Sequence, residues 1–157
     1  MSLPHGSALW RRLLLPLTPP PRDESGHVEP HDHPGIKSED GIIRRIAGNQ
    51  WVYDPKVPGK RASTAAFRAS SGEKGGMSVD LQALIEEARI DPKRFVMSPP
   101  WIGAVRFEAG YLRSLGCMVG YDPVAGNDYH GEVWGKFTKS LQRTLVATAQ
   151  VFVLPEE

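Results

Sequence analysis

The chain has 157 residues, and its 19 Lys and Arg against 18 Asp and Glu leave a formal net charge of +1. That length suits one domain with a real hydrophobic core rather than two, and the near-neutral charge excludes a global electrostatic pull toward nucleic acid or an anionic membrane. The single cysteine, Cys117, excludes an intramolecular disulfide framework and a cysteine-rich zinc site, which points to a reducing, cytoplasmic setting.

In chain order, Arg11 and Arg12 followed by Leu13, Leu14 and Leu15 superficially resemble a signal peptide, but Pro16 breaks the apolar run. No stretch approaches the roughly 20 apolar residues of a membrane span, so neither an export signal nor an anchor is expected. From Pro16 to Gly41 the chain is rich in Pro, Asp, Glu, His and Ser and has few apolar residues. Such a segment cannot offset its ordering entropy by burial, and residues 1–41 are expected to form a disordered N-terminal arm. A single α+β domain is expected over 42–157, a small mixed sheet with two or three short helices.

Within that domain, Ile42, Ile43 and Ile46 around Arg44 and Arg45 suggest a first strand, and Trp51, Val52 and Tyr53 continue the apolar content. Asp54-Pro55 and Pro58-Gly59 are turn signals, after which Ala62 to Arg68 reads as a short strand. Ser70 to Gly76 reads as a solvent loop. Leu81, Leu84, Ile85 and Ala88 then recur at the spacing of one helix face, a helix that Pro92 should stop. Ser98-Pro99-Pro100 marks a rigid extended link. Further strands are expected at Ala104 to Glu108, Cys117 to Tyr121, Gly131 to Phe137 and Val151 to Leu154. Two more helices are expected: Ala109 to Leu115, ended by Gly116, and one carrying Leu141 and Leu145 behind Thr138 as N-cap. The irregular alternation of short elements favours α+β over a doubly wound sheet.

Three clusters could carry chemistry. His27, Glu29, His31, Asp32 and His33 can all ligate metals, yet a segment with nothing to hold it should be a solvated arm, and no metal site is assigned. The loop and strand from Asp122 to Glu132 concentrate Asp122, Asn127, Asp128, His130 and Glu132. On a strand, His130 and Glu132 point to one face and could serve as base and acid or as metal ligands, with Asp122 beside them; the plainer reading makes His130 a strand cap and Glu132 solvated. The third cluster is cationic: Arg44, Arg45, Lys60, Arg61 and Arg68, with Trp51 and Tyr53 between the pairs and Ser63 and Thr64 adding hydroxyls. Guanidinium and aromatic faces suit a phosphate, a nucleotide or a single-stranded nucleic acid, whereas the plainer reading is a solvated face over core aromatics. No phosphate-binding glycine loop or serine-nucleophile motif is present, and Cys117 should be an inert core thiol.

The segments Arg61-Ala-Ser-Thr-Ala-Ala-Phe67, Met77-Ser-Val-Asp80 and Asp122-Pro-Val-Ala-Gly-Asn-Asp-Tyr-His130 resemble a pattern found in small single-domain prokaryotic proteins. The resemblance spans about residues 42 to 154 and implies a cytoplasmic protein without implying an activity. A slighter similarity is to ADP-ribosyltransferase-like domains, which place Arg or His on a first strand, Ser-Thr-Ser on a second and Glu on a third. Arg45, Ser63 with Thr64, and Glu132 occur in that order, but Ala65 replaces the second serine and His130 stands where a Glu or Gln would precede Glu132. The leading expectation is a binding or accessory module, within a prokaryotic defence, toxin-control or mobile-element operon, that holds a protein, nucleotide or nucleic-acid partner through Arg44, Arg45, Arg61 and Arg68. The alternative is an enzyme acting on a nucleotide or phosphodiester, with Arg45 on phosphate and His130 and Glu132 reactive. A third possibility is a purely structural interaction protein whose polar clusters are all solvated.

Overall fold

The computed structural model describes residues 17–57, 59–70 and 75–155. Its chain is α+β, as expected. Six strands form one sheet: β1 (Gly41–Ala47), β4 (Met77–Leu81), β5 (Trp101–Glu108), β6 (Met118–Tyr121), β7 (His130–Trp134) and β8 (Gln150–Val153), in the order β6-β7-β4-β1-β5-β8. All five pairings are antiparallel. A separate hairpin joins β2 (Trp51–Tyr53) to β3 (Lys60–Ala62). The helices are α1 (Gln82–Glu87), α2 (Pro92–Phe95), α3 (Ala109–Ser114) and α4 (Lys139–Thr148). Among the described residues no helix is long and apolar enough to cross a membrane.

Period-2 alternation divides the central strand between two faces. Ile42 and Ile46 join Val79, Leu81, Val105, Phe107, Val119 and Val133 in the main core, roofed by Leu112 of α3 and Leu145 of α4. Ile43 points the other way, into a smaller cluster with Val96 and Ala104 beside α2. Local signals set the helix ends. Thr138 accepts the Leu141 N–H at 3.2 Å to start α4, and Gly116, at φ +88°, closes the turn after α3.

Three local expectations change. Leu81 ends a strand rather than starting a helix: Met77, Val79 and Leu81 alternate into the main core, and this strand signal overlaps the helical spacing that continues into Ile85. Pro92 does not merely stop a helix but begins α2, because proline suits the first helical position and the Asp91 side chain caps it by accepting from Lys93 N–H. The strand expected over Ala62 to Arg68 is confined to β3. Beyond it the chain bends into a 3₁₀ turn, Thr64–Ala66, since Ser63 N–H bonds Gln50 O at 2.8 Å and Ala66 N–H bonds back to Ser63 O.

The largest change concerns the expected arm. Its residues 1–16 lie outside the described residues; from Leu17 onward the segment is packed against the domain. Val28 and Ile36 are buried, and Leu17 lies on the main core. The polar residues bind the outer edge of β6: Asp32 accepts the Val119 N–H at 3.0 Å, His33 N–H donates to Val119 O at 2.8 Å, and His31 Nε2 accepts the Tyr121 N–H at 3.1 Å. Arg113 of α3 clamps Asp32 at 2.8 Å. Low apolar content misleads here because the segment is held by hydrogen bonds to an open strand edge, which it covers as edge strands require. The cluster at His31, Asp32 and His33 is therefore structural, although Asp32 keeps part of its carboxylate in solvent.

Candidate functional site

β1 and β4 pair only at Ile42↔Leu81 and Ile43↔Asp80. Beyond that point β1 stays with β5 as far as Ala47, and β4 stays with β7 back to Met77, so the two strands form a fork. Side chains hold the fork open. Ser78 N–H donates to Ser70 Oγ at 3.0 Å, and Ser78 O accepts from Arg44 Nη1 at 2.8 Å, so neither group is left to extend the ladder to β1. The fork encloses a cleft of about 440 Å³, lined by Arg44, Arg45, Gln50, Ser70, Ser78, Val79, Asp80, Trp101, Asn127 and His130. Such a volume is typical of small-molecule sites.

Arg44 forms the inner wall and is only 7% exposed. Its Nε donates to Ala66 O at 3.0 Å and its Nη1 to Ser78 O and, at 3.4 Å, to Ser70 Oγ. All three acceptors are neutral, and among the described residues no carboxylate forms an ion pair with it. Burial lowers its pKa to about 10, against the upward pull of the Asp80 charge, so it remains a cation at neutral pH.

Its neighbour Arg45 is compensated. Nε and Nη2 meet the two Asp80 oxygens at 2.7 and 3.2 Å, in the bidentate geometry that suits a guanidinium and a carboxylate. The Phe95 ring lies 5.4 Å from the guanidinium carbon, and Phe95 packs edge-on against Tyr129. Asn127 Nδ2 donates to Asp80 Oδ1 at 2.8 Å, tying the loop before β7 to the same carboxylate.

His130 stands directly across from Asp80 on β7. Its Nδ1 lies 2.7 Å from Asp122 O, a carbonyl that can only accept, so Nδ1 carries the hydrogen and, in the neutral imidazole, Nε2 is the acceptor. The Asp122 carboxylate, 3.7 Å from Nδ1, pairs with Arg22 at 2.9 Å. Arg22 also donates to Pro123 O. The N-terminal segment thus steadies the loop that orients His130.

The expected site residues separate into two groups. Arg44, Arg45 and His130 share the cleft, with Asp122 behind His130. Glu132 lies on the same strand face as His130 but is 3% exposed, accepts the Gly76 N–H at 3.2 Å and does not line the cleft; it is not solvated. Arg61 pairs with Asp54 at 2.9 Å and donates to Ala62 O, while Arg68 Nε bonds Ala65 O. Ser63 and Thr64 sit where the chain leaves β3 for the 3₁₀ turn. None of these four lines the cleft. The arginines therefore do not form one open cationic face, because Arg44 is buried and Arg45 and Arg61 each hold a carboxylate.

Sequence reasoning assigned no role to Asp80, Ser70, Ser78, Gln50 or Trp101. Asp80 was within reach: once Met77 to Leu81 is a strand, Asp80 is an acidic residue on the opposite face from its apolar neighbours. Among the described residues no three His, Cys, Asp or Glu side chains gather as a metal site would require. The chain matches no protein-family model, no curated protein and no solved structure.

Proposed function

We propose that this protein is a binding module whose cleft takes a small phosphate-bearing ligand of nucleotide size. The observation that carries the reading is Arg44: a buried guanidinium at the wall of a cleft, bonded only to neutral oxygens. A buried cation is costly unless an anion meets it, and with Nε and Nη1 held by Ala66, Ser78 and Ser70 the Nη2 hydrogens are left to donate to a phosphate oxygen. Ser70, Ser78, Asn127 and Gln50 supply polar groups around it, and the half-buried Trp101 offers an aromatic face for a base. The wider setting proposed with it, a cytoplasmic accessory protein of a prokaryotic operon, rests on the sequence resemblance and the lone buried thiol.

Calorimetric titration of the full chain with AMP, ADP and inorganic phosphate tests this. Saturable binding is expected, weakened at least about tenfold by Arg44→Met, the equivalent of about 1.4 kcal/mol. Arg44→Lys, which keeps the charge but loses the planar guanidinium that Ala66 and Ser78 hold in place, should fall between the two. Equal affinity in wild type and both variants, or no binding at millimolar ligand, overturns the proposal.

A further inference from the structure

We infer that the cleft also cleaves what it binds, with His130 as the general base toward a ribonucleotide phosphodiester, a phosphodiester flanked by its own hydroxyl. The inference rests on the anion-binding reading above. Its separate support is the tautomer of His130. The Asp122 carbonyl holds the hydrogen on Nδ1, and Nε2, which has no partner among the described residues, belongs to a side chain lining the same cleft as Arg44. A base must be oriented and within reach of the bound ligand; the Asp122 carbonyl orients the ring, and His130 lines the cleft that Arg44 walls. The charged groups around it are Asp122 and Arg22 on its Nδ1 side, Asp80 paired with it on the neighbouring strand β4, and Arg45 and Arg44 across the cleft on β1.

One imidazole and one unpaired guanidinium suffice for a substrate that carries its own nucleophile. Nε2 takes the proton of the ribose 2′-hydroxyl, O2′ bonds to phosphorus and the bond from phosphorus to O5′ breaks. The departing O5′ takes a proton from water, and the resulting hydroxide is neutralised by the proton that the imidazolium returns. The products are a 2′,3′-cyclic phosphate and a free 5′-hydroxyl, with no net consumption of water. Arg44 faces the non-bridging oxygens, where negative charge grows in the transition state. A deoxyribose substrate lacks the nucleophile and should bind without reacting.

The test uses the full chain with uridylyl-(3′→5′)-adenosine, followed by phosphorus NMR, and the deoxy dinucleotide as the binding probe. Expected are a cyclic-phosphate resonance and no turnover of the deoxy compound. A first-order acid limb should appear in the rate as the imidazole is protonated. His130→Asn keeps an N–H for the Asp122 carbonyl but has no Nε2. It should slow cleavage by at least about 100-fold, read as the single-turnover rate at saturating dinucleotide so that any change in affinity does not enter. If the deoxy compound binds and the ribose compound stays intact, or if His130→Asn cleaves at the wild-type rate, the inference fails and the binding reading stands. If neither dinucleotide binds, both fail. The acid limb is read on wild type alone and decides the matter should the variant not fold; a flat profile overturns the inference.

Discussion

Asp80→Ala is expected to lower stability by about 3 kcal/mol and to abolish ligand binding in the cleft. Asp80 is 3% exposed and accepts two hydrogen bonds from Arg45 and one from Asn127. Removing one partner of a buried ion pair leaves the other charge uncompensated, at a cost of about 3–5 kcal/mol. The lower end applies because the Arg45 side chain retains 21% exposure. Asn127 loses its anchor as well, so the loop that presents His130 should loosen. Urea denaturation measures the loss, and Arg45→Ala made alone and together with Asp80→Ala separates the pair from its parts. A loss below about 1 kcal/mol would mean that the pair is solvated and that the cleft wall is not built as described.

Phe67→Ala should cost about 4 kcal/mol, within the range for deleting a buried phenyl ring. Phe67 is fully buried and meets the Phe107 ring edge-on at 5.8 Å. Its effect should reach the cleft, because it anchors the 3₁₀ turn whose Ala66 carbonyl accepts from Arg44 Nε. Binding of AMP should therefore weaken in the variant at temperatures where it remains folded. A thermal melt with and without ligand reads both effects. Loss of stability with unchanged affinity would show that the turn does not position Arg44.

The sheet was legible wherever one signal dominated. Ile42, Ile43 and Ile46 marked the central strand, Thr138 and Gly116 marked helix ends, and period-2 spacing correctly put His130 and Glu132 on one face. It was obscured where two signals overlapped, as at Leu81, which belongs both to a strand alternation and to a helical spacing. The N-terminal segment was illegible for a different reason. What orders it is the free edge of β6, a tertiary feature, and nothing local in Glu29 to His33 announces a partner 87 residues away in Val119.

For the site, residue type could nominate Arg44, Arg45 and His130 but could not separate them from Arg61 and Arg68. That distinction lies in where β1 and β4 part. It depends on Ser70 and Arg44 taking the backbone groups of Ser78, a long-range exchange that has no sequence period. Glu132 shows the limit of strand-face reasoning, since sharing a face with His130 left it buried against Gly76 rather than in the cleft.

On the function proposed above, Arg44 and His130 meet one phosphate-bearing ligand in the fork between β1 and β4. The most direct measurement is a titration of isotope-labelled full chain with AMP, following the Arg44 guanidinium Nε–H and the His130 ring resonances by NMR. Both should move and saturate along one binding curve, with the Asn127 side-chain amide moving with them while Arg61 and Arg68 stay still. Unmoved Arg44 and His130 signals, or shifts confined to Arg61 and Arg68, would contradict it.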